Sequence, residues 1–583
     1  MAVSISEQTA IKRLVVAGND SIFFEDLDVA AGTMTELDTS GSAIDTSDQL
    51  NMVSAFQKAF IVNGVNLKVA DFVNTKLTVS ALATAPTRGS IITQVTSTAT
   101  MVVDYVNSAK TLIYGYVTSG TFTTTGGHTL SGGGMSPEDE VPSAVTSNPH
   151  WYNWQVYLND TTTYGTIPDK AYLICAYRGR MVLSGNPEYP HQWYMSKVAD
   201  PFNFLYGADD PMSAVAGNNA DAGQCSDIIR ALISFHDDYL IFGSASTIWV
   251  LRGDPVAGGS LDNLSDTTGI FGANSWCFDE NRNLYFWGSG GIYVIKADFS
   301  GVRNLTAFTL PDIINDEAAD PSTHRITMGY DKKRHGIIVT ITVLETGVNS
   351  NYFYSFKTQG FYPESYPDEC GPYSLFYYDA NDTTFADLLV GSKDGYIRKF
   401  STSAKDDSTG ATSTDPISSY VTYPITPLGE IDERGRLSEL VFDLAGGGEG
   451  GDFSDTDSMS WRLYSGDDAE TVLEKMKATT AWADGTNYVI GNLVTYGGLE
   501  YICIVAHLSA TGAATHEEPD TNIIDWNIAA FTQGTLSGTG RQNKLRPRMR
   551  GAYMGLKLYN STASETWAIN RVLYNTKSVG RIK

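Results

Sequence analysis

Several things are scarce or missing in this 583-residue chain, and each absence removes a class of function. Cysteine is scarce: Cys175, Cys225, Cys277, Cys370 and Cys503 stand alone, with no CxxC pair and an odd total. That argues against a disulfide scaffold and for assembly in a reducing compartment. Cys175, Cys277 and Cys503 lie in apolar, strand-like runs and are expected to be small buried hydrophobes. No window reaches 18 apolar residues, so no membrane-spanning segment is expected. Met1 to Ala17 lacks a basic stretch followed by an apolar one, so no signal peptide is expected. Positive charge is also short, 40 Lys+Arg against 66 Asp+Glu, for a formal charge of −26. A surface of that sign disfavours non-specific wrapping by nucleic acid.

Catalytic signatures are missing too. There is no Gly-rich phosphate loop ending in Lys-Ser/Thr and no GxSxG elbow. His516-Glu517-Glu518 has no second histidine at helical spacing, so it is not a zinc-protease motif. Ser392-Lys-Asp-Gly395 has the wrong spacing for the Ser-x-Asp-x-Gly-x-x-Trp boxes of sialidase propellers. Asp452-Phe-Ser-Asp455-Thr-Asp457 has the wrong acid spacing for a calcium loop, and Leu463 stands where the closing Glu is needed. Acidic pairs such as Asp209-Asp210 and Asp237-Asp238 fall in turns, where Asp caps backbone donors. A glycoside hydrolase needs only two carboxylates about 5–10 Å apart, which a sequence alone does not reveal. The chain is expected to be non-enzymatic, without cofactor or metal.

What the chain does have is β-forming material: 55 Gly, 32 Tyr, 24 Phe and 10 Trp, with abundant Thr and Ser. A strand-hairpin motif recurs along the first 400 residues at a spacing of about 50. Its clearest copies are Arg178-Gly-Arg-Met-Val-Leu-Ser-Gly185, Asp237-Asp-Tyr-Leu-Ile-Phe-Gly-Ser244 and Asn283-Leu-Tyr-Phe-Trp-Gly-Ser-Gly-Gly-Ile-Tyr-Val-Ile295. Weaker ones are Lys333-Arg-His-Gly-Ile-Ile-Val-Thr340 and Ala386-Asp-Leu-Leu-Val-Gly-Ser-Lys-Asp-Gly-Tyr-Ile-Arg398. One four-stranded blade cannot bury its own faces, so this period predicts an all-β chain whose main body is a propeller of about six blades.

The domain reading follows from shifts in texture. Residues 1–84 hold an N-terminal segment and an opening blade, with a hairpin at Asn63-Gly64. Residues 85–135, rich in Thr, Ser and Gly, read as a small β module inserted into that blade. Blades continue over 136–402, and 403–416 is a low-complexity linker. Residues 417–478 and 531–583 read as two halves of a C-terminal β-sandwich, with one helical segment at Asp468 to Lys477 and an insert at 479–530. From Arg541 onward there are ten Lys+Arg against one acid (Glu565), leaving −35 on the preceding 540 residues. Such a tail is expected to pack on an acidic surface, of its own chain or of a partner, or to be a strand with a merely solvated basic face.

Two resemblances attach to these residues. Trp482, Gly485, Tyr488, Gly491, Val494, Tyr496, Gly498, Tyr501 and Ile502, continued by His507, Pro519 and Trp526, make the 479–530 insert similar to small chitin- and cellulose-type carbohydrate-binding modules. The resemblance implies a minute sheet whose aromatics either form its core or stack on sugar rings. Tyr501 and Trp526 are the leading stacking candidates, with Tyr496 beside them; the double-Trp strand of many chitin binders is missing.

The wider chain resembles the nozzle, or tail-tubular, proteins of short-tailed bacteriophages. The resemblance is carried by Arg178-Gly-Arg-Met-Val-Leu-Ser-Gly185 with Pro187, Trp193, Met195, Ser196 and Asp200-Pro-Phe-Asn-Phe204, by Asp238 to Leu251, by Gly269 to Ser275 before Gly288 to Tyr293, and by the ending Val579-Gly-Arg-Ile. It covers about 170–400 and the last 30 residues; the chain is shorter than the largest nozzles. It implies a virion subunit, assembled in the host cytoplasm, that forms a ring (a hexamer) under the portal and adaptor, meets tail fibres and conducts DNA without sequence-specific binding. Under that resemblance Arg541, Lys544, Arg546, Arg548 and Arg550 would bind acidic neighbours, and the inserted module would touch cell-surface glycan. The rivals are a carbohydrate-active enzyme with an appended binding module and a receptor-binding adhesin.

Overall fold

In the computed structural model, residues 5–10, 28, 31, 38–43, 46–48, 208–209, 219–221, 402, 431–432, 447–455, 478, 510–517, 538–539 and 582–583 lie outside the described set, and 540–542 and 581 are described by backbone only. The chain forms two compact units, Met1–Phe400 and Ser401–Lys583. Both are built almost entirely of antiparallel strands, as the composition predicts.

Among the described residues the first unit holds a succession of seven small sheets that closes on itself, plus one inserted sheet. They span residues 2–36, 51–71 with His150–Asn153, 173–216, 229–265, 276–304, 324–364 and 372–399. The sequence motifs fall on their inner hairpins. Arg178 and Gly179, both at positive φ (49° and 71°), make the tight turn between Leu173–Tyr177 and Arg180–Asn186. Strands Arg180–Asn186 and Gly336–Val343 are buried along nearly their whole length. Each is covered on both faces, and for that reason these runs are apolar without strict alternation.

Consecutive sheets share cores. Val15 and Phe24 of the first meet Ile61 and Ala70 of the second. Leu173 and Val182 meet Leu232 and Leu240, Phe235 meets Phe286, and Tyr285 lies with Ile326 and Met328. Ile338 and Phe353 pack with Leu388 of the seventh. The seventh then returns to the first. Lys12 Nζ lies 2.8 Å from Asp379, Tyr378 donates to Glu25, and the Asn381 side chain bonds the Lys12 backbone. The sheets of this succession number seven among the described residues, where the repeats led to about six. The first, 2–36, turns through Gly18-Asn-Asp-Ser21 into Ser21–Glu25, a strand without the Trp or Tyr that follows the turn in the clearest repeats.

The Asn63-Gly64 hairpin is present, joining Lys58–Val62 to Leu67–Asp71, but through a four-residue loop. The Asn63 carboxamide accepts from the backbone N–H groups of Val65 (3.0 Å) and Asn66 (2.6 Å), which holds the wider turn. Gly64 has φ 86°, and a Cβ there would lie 2.3 Å from the Tyr172 ring. Between Leu67–Asp71 and its neighbour His150–Asn153 the chain leaves to build a six-stranded sheet over residues 75–146. This insert is wider than the expected 85–135, because Thr75–Thr78 and Ala144–Thr146 pair with each other rather than with the host.

The second unit opens with a hairpin, Asp406–Ser408 with Thr414–Pro416, where a linker was expected. Two sheets follow. One contains Ser419–Thr422, Tyr553–Asn560, Ser458–Gly466 and Thr532–Ser537; the other contains Gly540–Leu545, Arg550–Gly551, Glu433–Leu444 and Ile569–Arg581. Leu437, Phe442 and Leu444 meet Met459, Trp461, Leu463 and Leu556 between the layers. A short helix, Ala469–Lys475, starts at Asp468, whose carboxylate accepts from the Thr471 N–H at 2.7 Å. All five cysteines are buried and none is in a disulfide.

Candidate carbohydrate-binding site

Residues 480–528 form their own small sheet: Thr480–Ala481, Leu493–Tyr496, Leu499–Cys503 and Trp526–Ile528, beside the pair Asn487–Tyr488 and His507–Leu508. So small a module has room for one core only, and it lies between one face of this sheet and the pair beside it. Val494, Tyr501, Cys503 and Trp526 fill it, with Tyr488 edge-on to Trp526 at 5.0 Å and His507 at 5.2 Å. Trp526 is 1% exposed and Tyr501 4%. Neither offers a face to a sugar, and both are corrected here from stacking candidates to core residues.

Tyr496 differs. It lies at the end of Leu493–Tyr496 and is half-buried against Trp482 in an edge-to-face pair at 5.4 Å. Its phenol is pushed up by desolvation first, then by the nearby carboxylates of Glu518 and Asp520. Two aromatic edges with carboxylates close by combine an apolar platform with hydrogen-bond acceptors, the two things a pyranose ring needs. Sequence reasoning named Tyr496 and missed the contribution of Trp482, Glu518 and Asp520.

The opposite face of the same strand points into the host. Alternation along Leu499–Cys503 sends Tyr501 and Cys503 into the module and Glu500 the other way. The Glu500 carboxylate is 2.5 Å from Arg462 Nη1, 2.5 Å from the Tyr464 hydroxyl and 3.7 Å from Lys557 Nζ. Arg462 also donates to Gln533 (3.2 Å) and to the Gly498 carbonyl (3.3 Å), with its guanidinium 4.3 Å from the Tyr559 ring centre. Burial, then the charge on Glu500, raises the Tyr464 phenol far above its usual range. Module and sandwich are therefore joined by a buried ionic clamp.

The basic segment is only partly available to partners. Lys544, Arg546, Arg548 and Arg550 are exposed and alternate with the inward residues Leu545 and Met549. Arg546 reaches Glu439 of its own sheet at 3.5 Å. The Arg541 side chain lies outside the described residues. So do Asp209, Asp452, Asp455, His516 and Glu517. Asp210 caps the Met212 N–H at 2.8 Å and Asp238 pairs with Arg178, both structural duties. Among the described residues no group of three or more His, Cys, Asp and Glu is placed to hold a metal ion, and no helix is long and apolar enough to cross a membrane.

A second ionic group, invisible in the sequence, ties the 75–146 insert to its host. Lys58 lies 2.7 Å from Asp104, and Arg88 bridges Asp104 (2.9 Å) and Asp200 (3.1 Å) beside a cavity of about 480 Å³. Burial opposes ionisation of Asp104, yet Lys58 and Arg88 bring its carboxyl down to about 2. Burial outweighs Arg88 at Asp200, whose carboxyl is raised.

The fold and these sites describe an all-β protein that carries a built-in carbohydrate-binding module. Residues 481–523 match the model of carbohydrate-binding module family 5/12. No curated protein matches the chain. Among solved structures it is similar to the extracellular domain of a proposed hybrid two-component system from Bacteroides thetaiotaomicron (10% identity, 70% of this chain and 44% of that one, TM-score 0.31). Another is a proposed 6-phosphogluconolactonase from Bacteroides uniformis (11% identity, 65% of this chain and 88% of that one, TM-score 0.30). The chain spans less than half the length of the first.

Proposed function

We propose that this chain is a non-enzymatic scaffold that holds a glycan-binding module in a fixed orientation, and that it serves as a nozzle or hub subunit in the tail of a short-tailed bacteriophage. The observation that carries the reading is the clamp at Glu500, which fixes the module while leaving Tyr496 and Trp482 at its rim. A catalytic module on a flexible tether has no use for such a clamp. A structural subunit repeated around a ring does, because fixed weak sites gain avidity only when they engage together.

In this reading the seven closed sheets are a propeller, copies of the chain form a ring (a hexamer) below portal and adaptor, and tail fibres attach around it. The acidic character of most of the chain suits a DNA conduit, since carboxylates repel phosphate and let the genome pass. The module would give each subunit a contact with host-surface glycan, and the virion would be the place of residence.

Electron microscopy of the natively purified protein, alone and with co-purifying partners, tests the ring; pull-down on insoluble chitin and cellulose tests the module. A symmetric ring with a central channel and retention on the polysaccharide are expected. A lone monomer with no partners would overturn the tail reading.

The enzyme reading has one observation in its favour, the Asp104 and Asp200 carboxyls beside one cavity with opposed shifts. Arg88 fills the space between them, as a structural bridge does and a substrate site does not. Hydrolysis of a soluble polysaccharide that stops in Asp200→Asn would reverse this preference.

A further inference from the structure

Strand Ile569–Arg581 pairs only with Glu433–Leu444, and its other edge has no partner strand among the described residues. At 13 residues it is the longest strand among the described residues. Its apolar residues are not hidden: Leu573 is 48% exposed, Tyr574 50% and Val579 47%. A long, open, partly apolar edge is the template to which another chain adds a strand, and single-chain proteins ordinarily cover or blunt it.

The face of the same sheet carries a second anomaly. Register places Arg436 directly opposite Arg550 on one side and Lys577 on the other, three cations in a row across three strands. Like charges in directly opposed positions destabilise a sheet. Among the described residues none of the three has an ion-pair partner, and Arg436 Nε is buried without a hydrogen bond. Arg550 lines a cavity of about 400 Å³ with Asp467 and Asp468, but Asp467 is already engaged by Arg434. The acids on the face are likewise in use, Glu439 by Arg546, Asp443 by Arg571 and Glu433 by Ser578. The sheet therefore presents three cations without an ion-pair partner among the described residues next to its open edge.

We propose that this edge and face form a docking surface for the acidic surface of a second copy of this chain. The identity of the partner rests on the assembly reading above. Charge supports it: the residues before Arg541 carry −35, so another copy is the complementary body most abundant wherever this chain is. Charge also sets the geometry. Two such edges brought together by a two-fold axis would oppose cation to cation, so the contact is heterologous, edge to a different acidic surface, and head-to-tail contacts of that kind generate rings.

The test compares the full-length chain with Lys577→Glu, and with Lys544→Glu as an independently placed second variant, by analytical ultracentrifugation over a range of salt. Hydrogen exchange of residues 569–581 is followed in the associated and dissociated forms. Expected are self-association of the parent chain that weakens as salt screens it, a loss of about tenfold or more in association for each variant with no fall in melting temperature (Lys577→Glu, now opposite Arg436, should if anything melt higher), and slowed exchange along the strand on assembly. If the parent associates while both variants associate equally and the strand gains no protection, the surface is wrong and the assembly reading stands. If the parent stays monomeric at all concentrations, both fall. If the variants lose binding to a single-stranded oligonucleotide but associate normally, the face is a nucleic-acid surface and the proposal is overturned.

Discussion

Replacing Glu500 tests whether the module is truly locked to its host. Glu500 and Arg462 are 1% and 8% exposed, and Lys557 is 14% exposed, so removing the carboxylate strands two nearly buried cations. Breaking a buried pair from one side costs about 3–5 kcal/mol, because the remaining charge keeps its desolvation penalty without its attraction. Glu500→Ala also takes the acceptor from the Tyr464 hydroxyl and lies at that scale. Glu500→Gln preserves the shape and one acceptor, so about half of it is expected. The assay is urea denaturation of the full chain with tryptophan fluorescence as probe, read with limited proteolysis between residues 478 and 531. The expected pattern is a lowered transition for the second unit, earlier cutting around the module and an unaltered first unit. The triple change Arg462→Met, Glu500→Leu and Lys557→Met should recover most of the loss, since apolar replacement of a whole buried ionic group is often close to neutral, while Arg462→Met with Glu500→Leu alone still strands Lys557 and should recover only part. A cost for Glu500→Ala below about 1 kcal/mol would falsify the clamp, because only surface ion pairs are that weak.

Tyr496→Ala should weaken retention on insoluble chitin or cellulose by about tenfold while the melting curve stays put, in keeping with an aromatic contact of about 1.5 kcal/mol. Trp526→Ala should instead unfold the module at a cost of about 3–5 kcal/mol, seen as a lost cooperative transition. Asp104, held at about 2 against an ordinary value of 3.8, stabilises the first unit above about pH 4, and that contribution of about 2 kcal/mol is lost as pH falls through 2. Acid titration of the parent against Asp104→Asn should show the difference between them vanish over that window. The five cysteines should resist thiol reagents in the native protein and react after unfolding.

The sequence carried its information at short range. The Arg178-Gly179 turn, the apolar runs after it and the Trp482-to-Trp526 aromatic order all sit within one hairpin or one module, so local pattern was enough to place them. The first sheet escaped the count because its strand after the Gly18-to-Ser21 turn, Ser21–Glu25, carries no Trp or Tyr, the mark that made the other hairpins recognisable. Tyr501 was misjudged for a different reason. Strand periodicity says which residues share a face, yet not whether that face turns toward core or solvent, and the module's single core, closed by Tyr488 and His507, needed Tyr501 inside. The clusters around Glu500 and Asp104 were out of reach altogether. Their members come from residues 462–557 and 58–200, and nothing about a single Lys, Arg or Asp tells which distant partner folding will bring to it.

The chain passes from Ser458–Gly466 through the helix Ala469–Lys475 into the module and leaves it into Thr532–Ser537, and these two strands are hydrogen-bonded neighbours in one sheet. A tether to a sugar lattice therefore pulls on two adjacent strands at once. Along the strand axis, such a load falls on the whole ladder of bonds holding Ser458–Gly466 to Tyr553–Asn560 together, as shear. Peeling them one at a time would need the force to act from a single free end, which an insertion does not offer. The module is mounted like a handle riveted at both feet, and the bond to the glycan should yield before its seat in the protein does.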